Sequence, residues 1–191
     1  VIAKMIVATQ GMHGRFSMDQ DAGIQKVHGA PTPRVGGLAL LGGFALATPF
    51  LHGGTFDLAV LILSCGVFAY GSGFVEDITK KVSPRMRLSM ALLSGGIFTA
   101  FSGTLLPLAI PLAPDGSPEW VEWCLIAMGA FGITVGLAGT TNAVNLIDGF
   151  HGLASGNIVI MSSTIGFLAY LEGDLSLAVV AFIFAASVLG F

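Results

Sequence analysis

Five uncharged apolar runs constrain this chain more than any other feature. Gly36 to Phe56, Leu58 to Val75, Leu88 to Pro114, Trp123 to Ile147 and Gly152 to Leu171 contain no Asp, Glu, Lys or Arg. Each approaches or exceeds the ~20 residues that an α-helix needs to cross the hydrocarbon of a bilayer. In lipid every backbone N–H and C=O must be satisfied within the spanning element. The runs therefore predict an all-α fold, a polytopic transmembrane helix bundle. Only 10% of the 191 residues are charged and 54% are hydrophobic, with a mean hydropathy of +0.86, which takes the chain out of the ordinary soluble class.

Two further stretches, Val1 to Thr9 and Leu175 to Phe191, are apolar apart from Lys4 and read as truncated spans. Residues 1–191 are thus expected to form a single integral membrane domain cut at both ends, with five complete and two truncated spans. There is no starting Met and no charged segment followed by a short apolar stretch and a cleavage site, so the spans themselves are expected to direct insertion. Cys65 and Cys124 have no Cys or His at metal-ligand spacing and read as buried, inert thiols. We find no internal repeat and no inverted pair of interrupted spans.

The gaps between runs alternate between the two membrane faces. Gly11 to Val35, Glu76 to Arg87 and Thr141 to His151 share one face; a tight turn near Asp57, then Leu108 to Glu122, then Glu172 to Asp174 share the other. Arg15, Lys26, Arg34, Lys80, Lys81, Arg85 and Arg87 all lie in gaps of the first set, and the second set has no Lys or Arg. Basic loops stay in the cytoplasm, so the first set is expected there. Trp120 and Trp123 would sit at the outer interface as an aromatic belt, and Pro107, Pro111 and Pro114 keep the loop before them non-helical.

Each cytoplasmic gap has a polar motif. Lys26-Val-His-Gly-Ala-Pro-Thr-Pro-Arg-Val-Gly-Gly37 combines cations with a proline-locked turn, so Lys26, His28 and Arg34 are candidates to bind phosphate. A positive-inside anchor is the plainer alternative. Gly73-Phe-Val-Glu-Asp77 puts two adjacent carboxylates at a span end, followed by Lys80, Lys81, Arg85 and Arg87. Mg²⁺ is commonly held by one or two carboxylates plus substrate phosphate oxygens, which fits Glu76 and Asp77; interfacial charge pairing is the alternative. In the third gap Asn142, Asn145, Asp148 and His151 recur every three residues. Each such step drifts by ~60° on an α-helix, so a continuous helix cannot present all four on one side. We expect Asn142 and Asn145 on a last helical turn, Asp148 at a break marked by Gly149 and Gly152, and a cavity lined by Asn145 and Asp148.

Taken together, the three blocks resemble the polyprenyl-phosphate N-acetylhexosamine-1-phosphate transferases, the superfamily that includes the phospho-N-acetylmuramoyl-pentapeptide transferases. The blocks are His28-Gly-Ala-Pro-Thr-Pro-Arg-Val-Gly-Gly37, Gly73-Phe-Val-Glu-Asp77 with Ser83-Pro-Arg-Met-Arg-Leu88, and Asn142-Ala-Val-Asn-Leu-Ile-Asp-Gly-Phe-His-Gly-Leu153. The resemblance implies a bacterial inner-membrane enzyme that transfers a sugar 1-phosphate from a UDP-sugar to undecaprenyl phosphate and releases UMP, with Mg²⁺ or Mn²⁺ as cofactor. It assigns Asp77, Glu76 and Asp148 to catalysis, with Asp77 and Asp148 on the metal. It places Asn145 and Asp148 in the nucleotide-metal cleft; Lys26, His28, Arg34, Arg85, Asn142 and His151 are further candidates for substrate contact. Expected partners are the UDP-sugar, the lipid phosphate and the bilayer, with homodimerisation admissible and no nucleic acid.

Two residues depart from the family pattern. Its usual Asp-Asp is Glu76-Asp77 here, and the second Asp of its Asp-Gly-x-Asp-Gly is His151. The first block is closer to enzymes that initiate surface polysaccharides than to those of peptidoglycan. The rival readings are a secondary transporter with an acidic ion site and an inactive structural relative. Reporter fusions test the orientation: one after Arg87 should report the cytoplasm and one after Pro118 the opposite face, and the reverse pattern would contradict it.

Overall fold

The structure, a computed structural model, describes residues 4–5, 8–9, 18–19, 32–33, 37–79, 81–103, 117–147 and 152–190. The described chain is built of helices: α1 (Gly37–Ala47), a 3-10 turn (Thr48–Phe50), α2 (Gly54–Thr79), α3 (Pro84–Phe101), α4 (Glu119–Ile147), α5 (Leu153–Leu171) and α6 (Leu175–Leu189). A two-residue antiparallel ladder pairs β1 (Met18–Asp19) with β2 (Thr32–Pro33), Met18 opposite Pro33. Three helices, α2, α4 and α5, are long and apolar enough to cross a membrane; Gly37–Phe50 and α6 are shorter apolar segments. The protein is a multi-pass helical membrane protein.

The helix limits differ from the apolar runs for local reasons. The first run is broken: α1 stops at Ala47 and tightens into the 3-10 turn where Pro49 lacks an N–H. The following turn lies at Leu51–Gly53, with Gly53 at φ +57°, so the turn expected near Asp57 falls earlier. Asp57 instead occupies the first turn of α2, where its charge suits the positive end of the helix dipole. α2 continues through Glu76 and Asp77, and α3 begins at Pro84 and ends at Phe101, ahead of Gly103 at φ +66°. The connection expected over Glu76 to Arg87 is therefore shorter, since α2 runs to Thr79 and α3 starts at Pro84. Backbone hydrogen bonds continue a helix past the apolar boundary, whatever the polarity of its last side chains. The loop carrying Pro107, Pro111 and Pro114 lies outside the described residues.

The chain divides into two compact units, each built on small residues. The first comprises the described residues of Val1–Val60, Gly73–Val82 and Val144–Phe191. Here α6 packs on α5 and α1, with Phe44, only 2% exposed, edge-on to Phe184 at 5.8 Å. The α5–α6 turn is the Glu172–Asp174 gap read from sequence: Gly173 has φ +83° and the Asp174 carboxylate accepts from the Leu177 N–H at 2.9 Å. Thr55 Oγ1 donates to Ser176 Oγ at 3.2 Å.

The second unit comprises the described residues of Leu61–Ser72 and Ser83–Ala143. Ala91, Gly95 and Thr99 form the buried face of α3, one residue per turn. The Thr99 hydroxyl proton goes to the Gly95 carbonyl at 2.7 Å, so Thr134 must be the donor in the 3.3 Å Thr99–Thr134 bond. Small residues let membrane helices approach closely where lipid gives no hydrophobic drive between them. Large apolar side chains such as Phe131 and Leu171 are exposed, as lipid contact permits.

Cys65 is buried as expected, but Cys124 is exposed. It occupies the start of α4 beside Trp120 and Trp123, which are 66% and 68% exposed and three residues apart on one face, as a belt requires. A Cβ on Gly95 would lie 2.9 Å from the Thr134 carbonyl oxygen, whereas one on Gly132 would meet nothing within 4 Å. Gly95→Ala should therefore cost about 1–3 kcal/mol and lower the thermal unfolding midpoint of the protein in detergent. Gly132→Ala should leave it unchanged or raise it, and equal effects of the two would contradict the packing.

Candidate active site

Of the residues read as functional, Glu76, Asp77, Arg85, Asn142 and Asn145 are described; Lys26, His28, Arg34, Asp148 and His151 lie outside the described residues. Glu76, Asp77 and Asn145 belong to the first unit and Arg85 and Asn142 to the second.

Glu76 and Asp77 occupy the last turn of α2 and are both half-buried. Being consecutive, they project ~100° apart around the helix and do not form a pincer. The end of α2 is closed by Thr79, whose hydroxyl donates to the Val75 carbonyl at 2.6 Å and accepts from the Lys81 N–H at 3.4 Å. No basic residue lies in that turn. Two carboxylates at the carbonyl end of a helix oppose its dipole, each by about 0.3–1 kcal/mol. The same arrangement deepens the negative potential available to a cation.

α3 shows the opposite charge pattern. Ser83 caps it by accepting from the Met86 N–H at 3.3 Å, Pro84 fills the first turn, and Arg85 and Arg87 follow with no acidic residue among them. Guanidinium groups at the amide end also oppose their helix dipole, and together with those amides they favour an anion. Arg85 is exposed and Arg87 half-buried. Both helix termini thus have charges that destabilise the isolated helix and suit an external ion of opposite sign.

α4 supplies the third element. Its 29 residues span about 44 Å, well beyond the ~30 Å of a hydrocarbon core. With Trp120 and Trp123 at one interface, Asn145 falls past the opposite boundary, in the final turn, and it is exposed. Asn145 lies on the last helical turn as expected, whereas Asn142, expected on that turn too, lies in the turn before it because α4 continues to Ile147. The gap read as Thr141 to His151 is narrower, since α4 reaches Ile147 and α5 starts at Leu153 behind Gly152, whose φ of +77° marks the break. Three consecutive side chains before Asn145 bond back to their own helix: Thr140 to Gly136 O at 2.8 Å, Thr141 to Leu137 O at 2.8 Å and Asn142 Nδ2 to Ala138 O at 2.9 Å. The sequence reading passed over Thr140 and Thr141; their signal was the run of three short polar side chains at the end of an apolar span.

Among the described residues no three His, Cys, Asp or Glu side chains converge. Glu76 and Asp77 supply hard carboxylate oxygens, the donor type that Mg²⁺ or Mn²⁺ takes when phosphate oxygens complete the shell. A groove of about 370 Å³ in the second unit, lined by Gly96, Thr99, Ala100, Ala130, Phe131 and Thr134, is almost wholly apolar and includes none of the candidates.

The sequence profile of glycosyl transferase family 4 matches residues 58–191. Over 175 residues the chain is 32% identical to a phospho-N-acetylmuramoyl-pentapeptide-transferase of Streptococcus pneumoniae, covering 85% of this chain and 51% of the relative. A protein of the same name from Dinoroseobacter shibae is 33% identical over 159 residues, 74% of this chain and 42% of its own. The chain thus spans about half the length of the curated relatives it matches. No solved structure matches it. With the profile covering most of the chain, including the acidic pair, the Arg85 segment and the Asn142–Asn145 turn, the protein belongs to glycosyl transferase family 4.

Proposed function

We propose that the protein transfers a sugar 1-phosphate, of the N-acetylhexosamine class, from a UDP-sugar to undecaprenyl phosphate on the cytoplasmic face of a bacterial inner membrane. This would be the first membrane step in assembling a cell-surface polysaccharide. The observation that carries the reading is the Glu76-Asp77 pair, set against the dipole of α2 at a membrane boundary, in a chain of this family. The names of its relatives, which state transfer of a phospho-N-acetylmuramoyl-pentapeptide, support the reaction class.

In this reaction an oxygen of the lipid phosphate attacks the sugar-bearing phosphorus of the UDP-sugar. A new P–O bond forms, the P–O bond to UMP breaks, and UMP leaves with that electron pair. A phosphate monoester has a second pKa of about 6, so the nucleophile is largely ionised at neutral pH and needs no strong base. The main obstacle is bringing two anions together. Asp77 and Asp148, together with Glu76, are the residues that would hold a divalent cation; when bound, Mg²⁺ or Mn²⁺ supplies neutralisation of phosphate charge. Asp77 is the leading candidate if a base assists. Arg85, with Lys26, His28 and Arg34, is assigned to phosphate contact. Asn145 donates or accepts hydrogen bonds at the nucleotide, and His151 can do so where the family usually has a carboxylate.

In the full-length protein Asp77→Asn should reduce UMP release about 100-fold or more while membrane insertion and thermal unfolding stay near wild type. Near-normal turnover in that variant would remove Asp77 from the machinery. Solute movement across sealed vesicles without UMP release would favour the transporter reading instead.

A further inference from the structure

Asn142 lies within the family's third block and is half-buried, whereas Asn145, one turn later, is exposed. Its side-chain nitrogen is committed, donating to the Ala138 carbonyl at 2.9 Å. A carbonyl can only accept, so this contact fixes which amide atom faces the helix. Ala138 is 1% exposed and is the buried residue of α4 among those described. The bond is therefore made at the most enclosed point of the helix, while the Thr140 and Thr141 bonds go to the carbonyls of exposed Gly136 and Leu137.

The stretch Gly136–Asn142 is also poor in helix-forming residues. It contains Gly136 and Gly139, neither of which has an atom near its absent Cβ, and its carbonyls at 136, 137 and 138 each accept a second donor besides the helical N–H. Glycine costs a helix interior about 1 kcal/mol relative to alanine. Side-chain back-bonds tilt carbonyls away from the axis and bend helices. Asn142 makes its back-bond in the turn directly before the one that holds Asn145.

We propose that Asn142 is a positioning residue: its amide, tied to the Ala138 carbonyl at the packed face of α4, orients the last turn that presents Asn145, and it does not itself touch substrate. This rests on the transferase reading above. It reassigns Asn142 from the substrate contacts expected from sequence.

Two substitutions, of which only Asn142→Asp keeps the side-chain shape, separate position from contact. Asn142→Thr keeps a donor that can back-bond to Ala138 but loses the amide oxygen; Asn142→Asp keeps an oxygen acceptor but cannot donate. In the full-length protein, Asn142→Asp should lower kcat at least ~10-fold with KM for the UDP-sugar changed less than about twofold. Asn142→Thr should recover most of that loss, and Asn142→Asp should add nothing further in an Asn145→Ala background. Amide hydrogen exchange at residues 143–147, measured without substrate, should be faster in Asn142→Asp than in wild type or Asn142→Thr. An active Asn142→Asp beside an inactive Asn142→Thr, with exchange unchanged, would overturn the proposal in favour of direct contact. No transfer by wild-type protein, with the exchange order as expected, would overturn the transferase reading and with it the catalytic half of the inference.

Discussion

Hydrocarbon offers no water to a hydroxyl or amide, and this protein meets that constraint mainly within each helix. Thr48, Thr99, Thr140, Thr141, Asn142, Thr164 and Ser187 each donate to the carbonyl four residues back. A polar side chain satisfied in this way can face lipid or a neighbouring helix at little cost. The bundle can then be built from Ala, Gly, Ser and Thr contacts, with its large apolar side chains turned outward. Gly95 against Thr134, Gly166 against Phe182 and Gly43 against Ser187 are the close approaches this permits.

Where the helices leave hydrocarbon, formal charges appear beside these back-bonded side chains. Glu76 and Asp77 stand at the carbonyl end of α2, and Arg85 and Arg87 at the amide end of α3, each opposing its own helix. A sequence selected only for helix stability would exchange them. Carboxylates at one helix end and guanidiniums at another are the groups that the proposed reaction would set against a divalent cation and phosphate. In the proposed transfer those groups would serve a step in which one phosphate attacks another.

Much of this was legible in the sequence because crossing a membrane imposes length and polarity together. The runs ending at Ile147 and Leu171 are helices to those residues, and the turns at Gly152 and Glu172–Asp174 fall where Gly and Asp announced them. α1 is shorter than its apolar run because Pro49 interrupts a stretch that is otherwise uniform in polarity. The end of α2 and the start of α3 lie beyond the apolar runs because backbone bonding continues past the charged side chains. Lipid exposure and burial select the same side chains, so Cys124 could not be told from a buried thiol. At the candidate site the three-residue spacing located Asn142 and Asn145 but could not show that one amide bonds back to its own helix while the other is exposed. That distinction depends on atomic direction, which residue type and spacing do not encode.

The central claim is direct transfer of a phosphoryl-linked sugar to a lipid phosphate, and the fate of one phosphorus atom tests it. The full-length protein, incubated with UDP-N-acetylglucosamine labelled at the sugar-bearing phosphorus, undecaprenyl phosphate and Mg²⁺, should move the label into the organic-extractable lipid while unlabelled UMP accumulates in equal amount. Label that stays with the nucleotide, or a sugar that reaches lipid without it, would contradict the account.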